Sequence, residues 1–396
     1  MKKILLSVLS IFSIITLMSC TLLQNKYLYE IVEDYAIITG YEGNASNLTI
    51  PSEIKDNKIL YPVKEIGEEA FYQNETIKKV VIPKGVIKIG KMAFEYCINL
   101  KDVKMPSTLI NIELAAFGGC IKLKKVEIPE SVEYIGGYSF ARTGLKEINV
   151  PGSVKVIGIK TFEQNSELKK VTINIGTTEI YEQLFYKCPK LEVVEIPYTI
   201  KEFSSYIFEK CDNLEKIYYN GTLQDFCNVD MKRSFQSRCE AKLYLKNNDG
   251  EYYEFNDLII DNTLENIGAF QFVSTTSLKT VTIEEGVTII NGYQFADCLN
   301  LKEVKLPSSL KEIQSYAFFS CVSLEYVVIP DSVETIGIEA FSKNNAIIYC
   351  EATSKPLGWS KSWCREYREA EGIYTPTVYW GNEWEYVNGV PTVINK

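Results

Sequence analysis

Cysteine is the residue type in this chain whose spacing most invites a chemical interpretation. Six of the 11 cysteines stand three residues after a phenylalanine, namely Cys97, Cys120, Cys188, Cys211, Cys298 and Cys321. The equivalent position elsewhere holds Asn74, Thr143, Asn165, Thr275 or Asn344. A position that accepts Cys, Asn or Thr indicates a side chain that faces backbone groups, so we interpret these thiols as structural and free. Disulfides are the alternative, between stacked neighbours such as Cys97–Cys120 and within the pairs Cys227–Cys239 and Cys350–Cys364.

The composition excludes several kinds of catalytic site. The chain has no histidine, which rules out Ser-His-Asp and Cys-His catalysis and the zinc sites that use imidazole. Adjacent cysteines of this series lie 23 residues apart, which is not the spacing of metal ligands. The carboxylates are scattered, and the sequence contains neither a glycine-rich phosphate loop nor a nucleophile elbow. We therefore expect no enzyme, no catalytic residue, no metal site and no cofactor. A formal net charge of −9 also argues against nucleic acid as a partner.

A repeat positions these residues. Spacings of 23 residues link Phe71, Phe94, Phe117 and Phe140, and also Phe295, Phe318 and Phe341, while Phe162, Phe185 and Phe208 continue the first series after one 22-residue step. Such a period is typical of a solenoid, in which each coil packs on its neighbours.

Each repeat unit has three segments. The first, L-x-x-V-x-I-P, alternates in hydrophobicity and ends in proline, which predicts a short parallel strand. The second, V-x-x-I-G, predicts an extended piece with a bend at glycine. The third, A-F-x-x-C, predicts one helical or 3₁₀ turn whose phenylalanine, here called the plug, fills the interior of the coil.

These units resemble the BspA-like leucine-rich repeat family, a 23-residue bacterial class, over roughly residues 63–350. The resemblance implies a repeat solenoid: a leucine-rich-repeat right-handed coil with a parallel β-strand ladder and short helical or 3₁₀ turns. It also implies a surface-exposed, often lipid-anchored protein of a group associated with adhesion to host matrix proteins or other cells. Thr177, Phe203 and the absence of proline after Ile173, Tyr219 and Ile283 depart from the pattern, and we expect them to affect curvature more than fold.

The segments outside the repeats complete the predicted organisation. Lys2 and Lys3, the apolar run 4–18 and the sequence Leu17-Met18-Ser19-Cys20 predict a lipoprotein signal peptide at 1–19 with lipidation of Cys20. An ordinary signal peptide or an uncleaved anchor is the alternative. We assign 20–62 to a linker and cap, 63–219 to a first array, 220–262 to a variant coil or hairpin insertion, 263–350 to a second array and 351–396 to a Trp-rich cap.

Two of these segments have a second interpretation. We interpret the insertion at 220–262 as a variant coil, and the alternative interpretation is a small functional protrusion. The C-terminal segment is read as a cap over the last coil, and an aromatic platform for sugar or peptide is the alternative. Exposure of Trp359 and Trp384 would distinguish the two readings of the C-terminal segment.

Outward positions on the strands are the candidate binding residues. The residue after each leading Leu or Ile is in turn Lys78, Lys101, Lys124, Lys146, Lys169, Glu192, Glu215, Lys279, Lys302 and Glu325. Stacking would make a column of five lysines followed by a change of sign, which is either a solvated edge that discourages aggregation or a recognition stripe for an acidic ligand. The residue between Val and Ile on each strand, which includes Lys104, Glu127, Tyr218 and Lys305, varies as a binding surface or an unconstrained surface would.

We therefore predict an exported protein, lipid-anchored to the cell membrane or outer membrane and displayed at the surface. It would act as a monomer that binds an extracellular protein, of host matrix or another cell surface, without catalysis and without nucleic acid. The predicted ligand-binding residues are Lys78, Lys101, Lys124, Lys146, Lys169, Lys104, Glu127, Tyr218, Lys302 and Lys305. The alternatives are a structural envelope or spacer lipoprotein with no specific ligand, and carbohydrate binding through the Trp-rich C-terminal region.

Overall fold

The computed structural model describes residues 26–204, 206–231, 241–264, 267–369 and 372–394. The predicted signal peptide, the lipidation site Cys20 and Cys239 lie outside the described residues.

The described chain consists of short strands and one helix. In order these are β1 (Tyr27–Val32), β2 (Tyr35–Tyr41), β3 (Asn47–Thr49), β4 (Glu53–Asp56), β5 (Ile59–Ile66), β6 (Lys79–Val81), β7 (Lys88–Ile89), β8 (Asp102–Lys104), β9 (Asn111–Ile112), β10 (Tyr134–Ile135), β11 (Glu147–Val150), β12 (Val156–Ile157), β13 (Lys170–Ile173), β14 (Glu179–Ile180), β15 (Val193–Pro197), β16 (Glu202–Phe203), β17 (Lys216–Asn220), α1 (Leu223–Cys227), β18 (Asp230–Met231), β19 (Lys242–Lys246), β20 (Tyr252–Glu254), β21 (Asp257–Ile260), β22 (Thr280–Ile283), β23 (Ile289–Ile290), β24 (Glu303–Lys305), β25 (Glu312–Ile313), β26 (Tyr326–Ile329), β27 (Thr335–Ile336), β28 (Ile347–Cys350), β29 (Tyr367–Glu369), β30 (Gly372–Tyr374), β31 (Thr377–Tyr379), β32 (Trp384–Val387) and β33 (Val390–Val393).

These strands form two parallel ladders that run along the molecule, and the predicted solenoid is confirmed. The first ladder contains the L-x-x-V-x-I-P segments in three runs, β3-β6-β8, β11-β13-β15-β17-β19 and β21-β22-β24-β26-β28-β31. The second ladder contains the V-x-x-I segments, in the runs β2-β5-β7-β9-β10-β12-β14-β16-β18 and β23-β25-β27. Each coil contributes one segment to each ladder, so sequence repeats become stacked rungs. The first-ladder segment of one coil is called a rung.

The first-ladder strands alternate between core and solvent as their sequence predicts. In β11, Ile148 and Val150 are buried while Glu147 and Asn149 are exposed. Branched side chains suit this half-buried pleated surface, and the next residue, Pro151, ends the strand because it has no N–H to donate.

At several second-ladder strands, close packing between coils requires the glycine that follows the strand. A Cβ built on Gly158 would lie 2.3 Å from the backbone nitrogen of Gly137, and one on Gly90 would lie 2.8 Å from the carbonyl carbon of Gly67. Any side chain there would force adjacent coils apart. The sequence pattern predicted a bend at this glycine, whereas the structure shows that glycine is needed because the backbone of the adjacent coil leaves no room for a side chain.

The third segment differs from the predicted helical or 3₁₀ turn. Around Phe94 the backbone forms successive turns with left-handed φ values of 53° at Met92 and 56° at Tyr96. Alternate N–H groups bond within the coil, as Cys97 N to Phe94 O (3.1 Å), and to the next coil, as Phe94 N to Ala116 O (2.8 Å). A helix would direct all N–H groups along its own axis, so the turn series is what allows bonds between coils.

The plug phenylalanines form the centre of the core. From Phe71 to Phe208 successive rings are parallel, with centroids 4.8 to 6.1 Å apart. From Phe272 to Phe341 the spacing is 5.1 to 5.6 Å. One buried hydrophobic cluster extends from Tyr27 to Trp363.

Strands β17, β18 and β19 continue the two ladders into the insertion, and the ladders resume after it at β21 and β23. Strand β17 pairs in parallel with β15 and β19, and β18 pairs with β16. Helix α1 places Phe226 in the core 6.3 Å from the Phe272 ring, and Gln271 Nε2 donates to Phe226 O at 2.6 Å. Strand β20 folds back antiparallel on β19, which gives the hairpin that the Asn247–Gly250 turn sequence suggested.

Additional strands cover both ends of the described solenoid. At the first end, β1 pairs antiparallel with β2, which joins the second ladder through β5. At the other end, β31 extends the first ladder beyond β28, and the β32–β33 hairpin packs Trp384 against Tyr349 at 5.2 Å. These additions give the terminal coils a partner that the array itself cannot provide.

Candidate functional site

The candidate site is built on the outward face of the first ladder, where the lysine column stacks rung by rung. The lysine column comprises Lys78, Lys101, Lys124, Lys146 and Lys169. Backbone hydrogen bonds join Lys101 N to Lys78 O (2.8 Å), Lys146 N to Lys124 O (3.4 Å) and Lys169 N to Lys146 O (2.8 Å). All five side chains are exposed.

The column changes sign at its last member. Glu192 N donates to Lys169 O at 2.9 Å, and Glu215 N donates to Glu192 O at 2.9 Å, so two glutamates continue the stack. Lys169 Nζ lies 2.7 Å from Glu192 Oε1, and the pKa of Lys169 is raised by this hydrogen bond and by the charge of Glu192. The fifth lysine is therefore already neutralised by the chain.

The first four lysines are not neutralised in this way. Across the described ranges, no ion pair involves Lys78, Lys101, Lys124 or Lys146. Other lysines of the same face are paired, as Lys79 with Asp102 at 2.6 Å and Lys170 with Glu195 at 2.7 Å. The lysine column therefore leaves a row of positive charges on a rigid ladder, and such a row attracts acidic groups.

The remaining predicted ligand residues fall in two further places. Lys104 and Glu127 are exposed beside the lysine column, and Glu127 lies 3.1 Å from Lys125. Lys302 and Lys305 are exposed on the rung of β24, on the far side of the Glu192 and Glu215 rungs, and Lys305 lies 3.3 Å from Glu303. The structure therefore does not bring all ten residues into one patch.

Tyr218 lies in an aromatic cluster that sequence reasoning identified only in part. Its ring stacks on Tyr244 at 4.8 Å and meets Tyr252 edge-on at 5.0 Å. Lys246 Nζ lies 5.1 Å from the Tyr252 centroid, within range of a cation–π interaction. Tyr244 and Tyr252 come from the two strands of the β19–β20 hairpin, so recognising that Leu243-Tyr-Leu245 occupies a rung would have revealed the cluster.

One rung lies open within the lysine column. Residues 123–129 have the same L-x-x-V-x-I-P pattern as their neighbours but form no strand, and the first ladder breaks between β8 and β11. A groove of about 420 Å³ spans β6, β8 and this segment, and one of about 410 Å³ spans this segment, β11 and β13. We call residues 123–129 the open rung.

The C-terminal tryptophans do not form an exposed platform. Trp359 and Trp384 are 2% and 7% exposed, and their indole N–H groups donate to Val333 O (3.1 Å) and Cys350 O (3.0 Å). Trp363 packs edge-on against Phe341 at 6.0 Å and extends the core. Because Trp359 and Trp384 are buried, the alternative interpretation of the C-terminal segment as an aromatic platform for sugar or peptide is wrong.

The column cysteines face backbone carbonyl groups, as their sequence pattern predicts. Each thiol donates to the carbonyl oxygen of the plug one coil earlier, as Cys97 to Phe71 (3.1 Å), Cys120 to Phe94 (3.2 Å) and Cys321 to Phe295 (3.2 Å). Burial raises the pKa of Cys97 and Cys188 to about 12. All cysteines of the described chain are free, including Cys350 and Cys364, so the disulfide alternative for Cys97–Cys120 and Cys350–Cys364 is not what the structure contains.

The described residues contain neither a metal-binding cluster nor a helix that could span a membrane. In those ranges, no group of three or more Cys, Asp and Glu side chains is placed to hold a metal ion. No helix among the same residues is long and apolar enough to span a bilayer.

Comparisons with known proteins place these features in a wider context. A family model described as BspA type leucine-rich repeat region (6 copies) matches residues 44–169, 137–233 and 250–355. A leucine-rich repeat protein from Bacteroides ovatus is similar at 26% identity, over 86% of this chain and 89% of that one, with a TM-score of 0.60. A leucine-rich cell surface protein from Faecalibacterium prausnitzii is 25% identical over 86% of this chain and 96% of that one, with a TM-score of 0.48. Curated proteins give no match.

Proposed function

The chain belongs to the BspA-type leucine-rich repeat family, and from that premise we propose that it is a surface protein whose first ladder binds an acidic protein partner without catalysis. The family provides a rigid array of rungs, and the side chains on those rungs provide specificity. The observation that carries the proposal is the row of four lysines, Lys78, Lys101, Lys124 and Lys146, that the described chain leaves without an ion pair.

Charge explains why the partner would be acidic. Adjacent rungs of a parallel ladder are about 4.8 Å apart, so the four ammonium groups repel one another unless an external anion lies between them. An ion pair with Glu192 relieves the repulsion at Lys169, and the lysines of the earlier rungs have no such pair among the described residues. An acidic protein surface would supply the missing charges, steer the encounter and fix the register along the ladder.

Surface display and adhesion are part of the same proposal. The export signal predicted at 1–19 agrees with display outside the cell. We further propose that lipid on Cys20 anchors the protein and that the partner is a protein of host matrix or of another cell.

A capture experiment tests the proposal. Purified chain from residue 21 onward is immobilised as wild type and as the variant Lys78→Glu, Lys101→Glu, Lys124→Glu, Lys146→Glu, and each is exposed to host matrix extract and to cells. The control variant carries Lys84→Glu, Lys155→Glu, Lys201→Glu and Lys311→Glu, which change the net charge equally at exposed sites away from the first ladder. We expect acidic proteins retained by wild type and control to be lost from the ladder variant.

The competing function is a spacer without a specific ligand. It predicts that no protein is retained above background by any of the three forms. Equal retention by all three would instead remove the lysine column from the proposal, because the captured protein would bind elsewhere.

A further inference from the structure

The open rung carries a more specific inference about where and how the acidic partner binds. Within the described residues, the backbone of 125–128 makes no hydrogen bond to the rung of β8 or to the rung of β11, and only Lys146 N to Lys124 O (3.4 Å) links the open rung to a neighbouring rung. A closed rung is paired on both sides, as where β24 pairs in parallel with both β22 and β26. The N–H and C=O groups of the open rung therefore face the two grooves.

The apolar side chains of the open rung are also slightly more exposed than those of closed rungs. Val126 and Ile128 are 7% and 8% exposed, whereas Val171 and Val327 at closed rungs are fully buried. The plug stack beneath is undisturbed, since Phe117 lies 5.3 Å from Phe94 and 5.5 Å from Phe140. The second ladder also continues unbroken through β9 and β10. The opening is thus confined to the outer face of the first ladder.

Charge distinguishes the two grooves. The groove beside β8 is lined by Lys79, Lys101, Lys104 and Lys125 together with Asp102 and Glu127. Asp102 is paired with Lys79 and Glu127 with Lys125, which leaves Lys101 and Lys104 without a carboxylate among the described residues. The groove beside β11 has two lysines, Lys125 and Lys170, and two glutamates, Glu127 and Glu147. Net positive charge therefore lies beside β8.

We propose that the groove over β8 and the open rung binds an extended acidic peptide segment of the partner. Carboxylates of the segment pair with Lys101 and Lys104, and its backbone hydrogen-bonds the unpaired groups of residues 125–128 from the solvent side. Coils whose plugs lie 5.3 and 5.5 Å apart leave no room for a strand inserted between them. Both halves of the site are needed, because lysines alone attract any anion while backbone groups alone accept any strand. This inference rests on the proposed function and names the segment of the ladder that performs it.

The chain contains a matched rung that lacks the opening. Leu100-Lys-Asp-Val-Lys-Met-Pro106 beside the groove and Leu301-Lys-Glu-Val-Lys-Leu-Pro307 at β24 differ only by Asp for Glu and Met for Leu. Lys302 and Lys305 thus repeat Lys101 and Lys104 on a rung whose backbone is fully paired. Comparing the two pairs separates the effect of the open backbone from that of charge, and Lys101 and Lys302 are also compared singly because Lys305 is already paired with Glu303 at 3.3 Å.

Hydrogen exchange tests the opening itself. In the free protein we expect the amides of 124–128 to exchange at least about 100-fold faster than those of 303–306, since unpaired surface amides lack protection. Adding a short peptide of alternating glutamate and threonine as the probe should slow exchange at 124–128 by about tenfold or more. Exchange at 124–128 as slow as at 303–306 in the free protein would overturn the inference and leave the proposed function standing.

Peptide affinity tests the lysines. Fluorescence anisotropy with the same labelled peptide should show binding weakened on the order of tenfold by Lys101→Gln with Lys104→Gln and by less than about twofold by Lys302→Gln with Lys305→Gln. Equal weakening by both pairs would overturn the inference, since charge alone would then explain binding. No weakening by either pair would overturn it too and would also count against the proposed function. Circular dichroism checks that each variant keeps the wild-type fold.

Discussion

At the residue scale, Cys, Asn and Thr in one column all donate to the backbone carbonyl of a plug. Cys188 Sγ donates to Phe162 O at 3.1 Å, and Asn165 Nδ2 donates to Phe140 O at 2.9 Å, in each case the plug one coil earlier. Thr143 Oγ1 donates instead to the plug of its own coil, Phe140 O, at 3.3 Å. The column therefore shares a type of acceptor and not a residue type, which is why the sequence pattern indicated structural thiols.

Buried thiols predict that stability falls at alkaline pH. Burial raises the pKa of Cys97, Cys188, Cys227 and Cys350 to about 12, whereas an unfolded thiol ionises near pH ~8.5. Above that pH the unfolded chain loses protons that the folded chain keeps, so each thiol reduces the free energy of unfolding by about 1.4 kcal/mol per pH unit until the folded pKa is reached.

Urea denaturation between pH 7 and pH 10 measures this effect. The wild-type midpoint should be constant to about pH 8 and then fall, and the variant Cys97→Thr, Cys188→Thr should fall less steeply because Thr does not ionise. Parallel pH profiles for the two forms would contradict the assignment to the thiols.

Backbone conformation at neighbouring alanines gives a second prediction at this scale. Ala115 has a left-handed φ of 54°, and this conformation costs an L-residue about 1–2 kcal/mol. Its neighbour Ala116 does not have a positive φ. Ala115→Gly should therefore leave stability unchanged or raise it by up to about 1 kcal/mol, and Ala116→Gly should lower it by about 0.5–1 kcal/mol or more. Thermal denaturation of both variants measures the difference, and a larger loss for Ala115→Gly than for Ala116→Gly would contradict the turn geometry.

At the element scale, each coil is a strand, a short extended piece and a series of turns around one plug. The strands and the plug positions could be predicted because alternation and a 23-residue period are local properties of the sequence. The turn series could not, because bonds such as Phe94 N to Ala116 O depend on the next coil. The open rung could not be predicted either, since residues 123–129 match the strand pattern and pairing depends on both neighbours.

Removal of a plug should destabilise a block of coils rather than the whole array. Phe117 is fully buried between Phe94 and Phe140, and Phe117→Ala should cost about 3–5 kcal/mol. Because each coil packs only on its neighbours, hydrogen exchange should rise around residues 86–145 and not around 295–341. The matched variant Phe318→Ala should show the reverse pattern. A uniform rise across the chain in either variant would contradict nearest-neighbour stability.

At the scale of the whole molecule, the ladder face is divided by charge and by composition. Four unpaired lysines and the open rung occupy its first part, Glu192 and Glu215 follow, and the Tyr218–Tyr244–Tyr252 cluster begins on the Glu215 rung. The sequence predicted the order of charges, because a ladder converts spacing into stacking. The burial of Trp359 and Trp384 agrees with the C-terminal cap that the sequence favoured. The tyrosine cluster was not predicted, because it depends on the β19–β20 hairpin that packs against the array.

The salt dependence of binding follows from this arrangement. Exposed charges are screened over about 8–10 Å at physiological ionic strength, so a partner held by the lysine column should bind more weakly as salt rises. Contacts through the tyrosine cluster would be far less sensitive to salt, because stacking and burial of aromatic area do not depend on screening. The slope of affinity against salt concentration therefore reports which part of the face is used.

The most direct test of the central claim is the affinity of the captured partner for three forms of the chain, measured at low and at physiological salt. These are wild type, the Lys78→Glu, Lys101→Glu, Lys124→Glu, Lys146→Glu variant and the charge-matched control away from the ladder. We expect the ladder variant to bind at least about tenfold more weakly and with a shallower salt dependence, while the control binds as wild type does. Equal affinities and equal salt dependence for all three forms would contradict recognition through the lysine column.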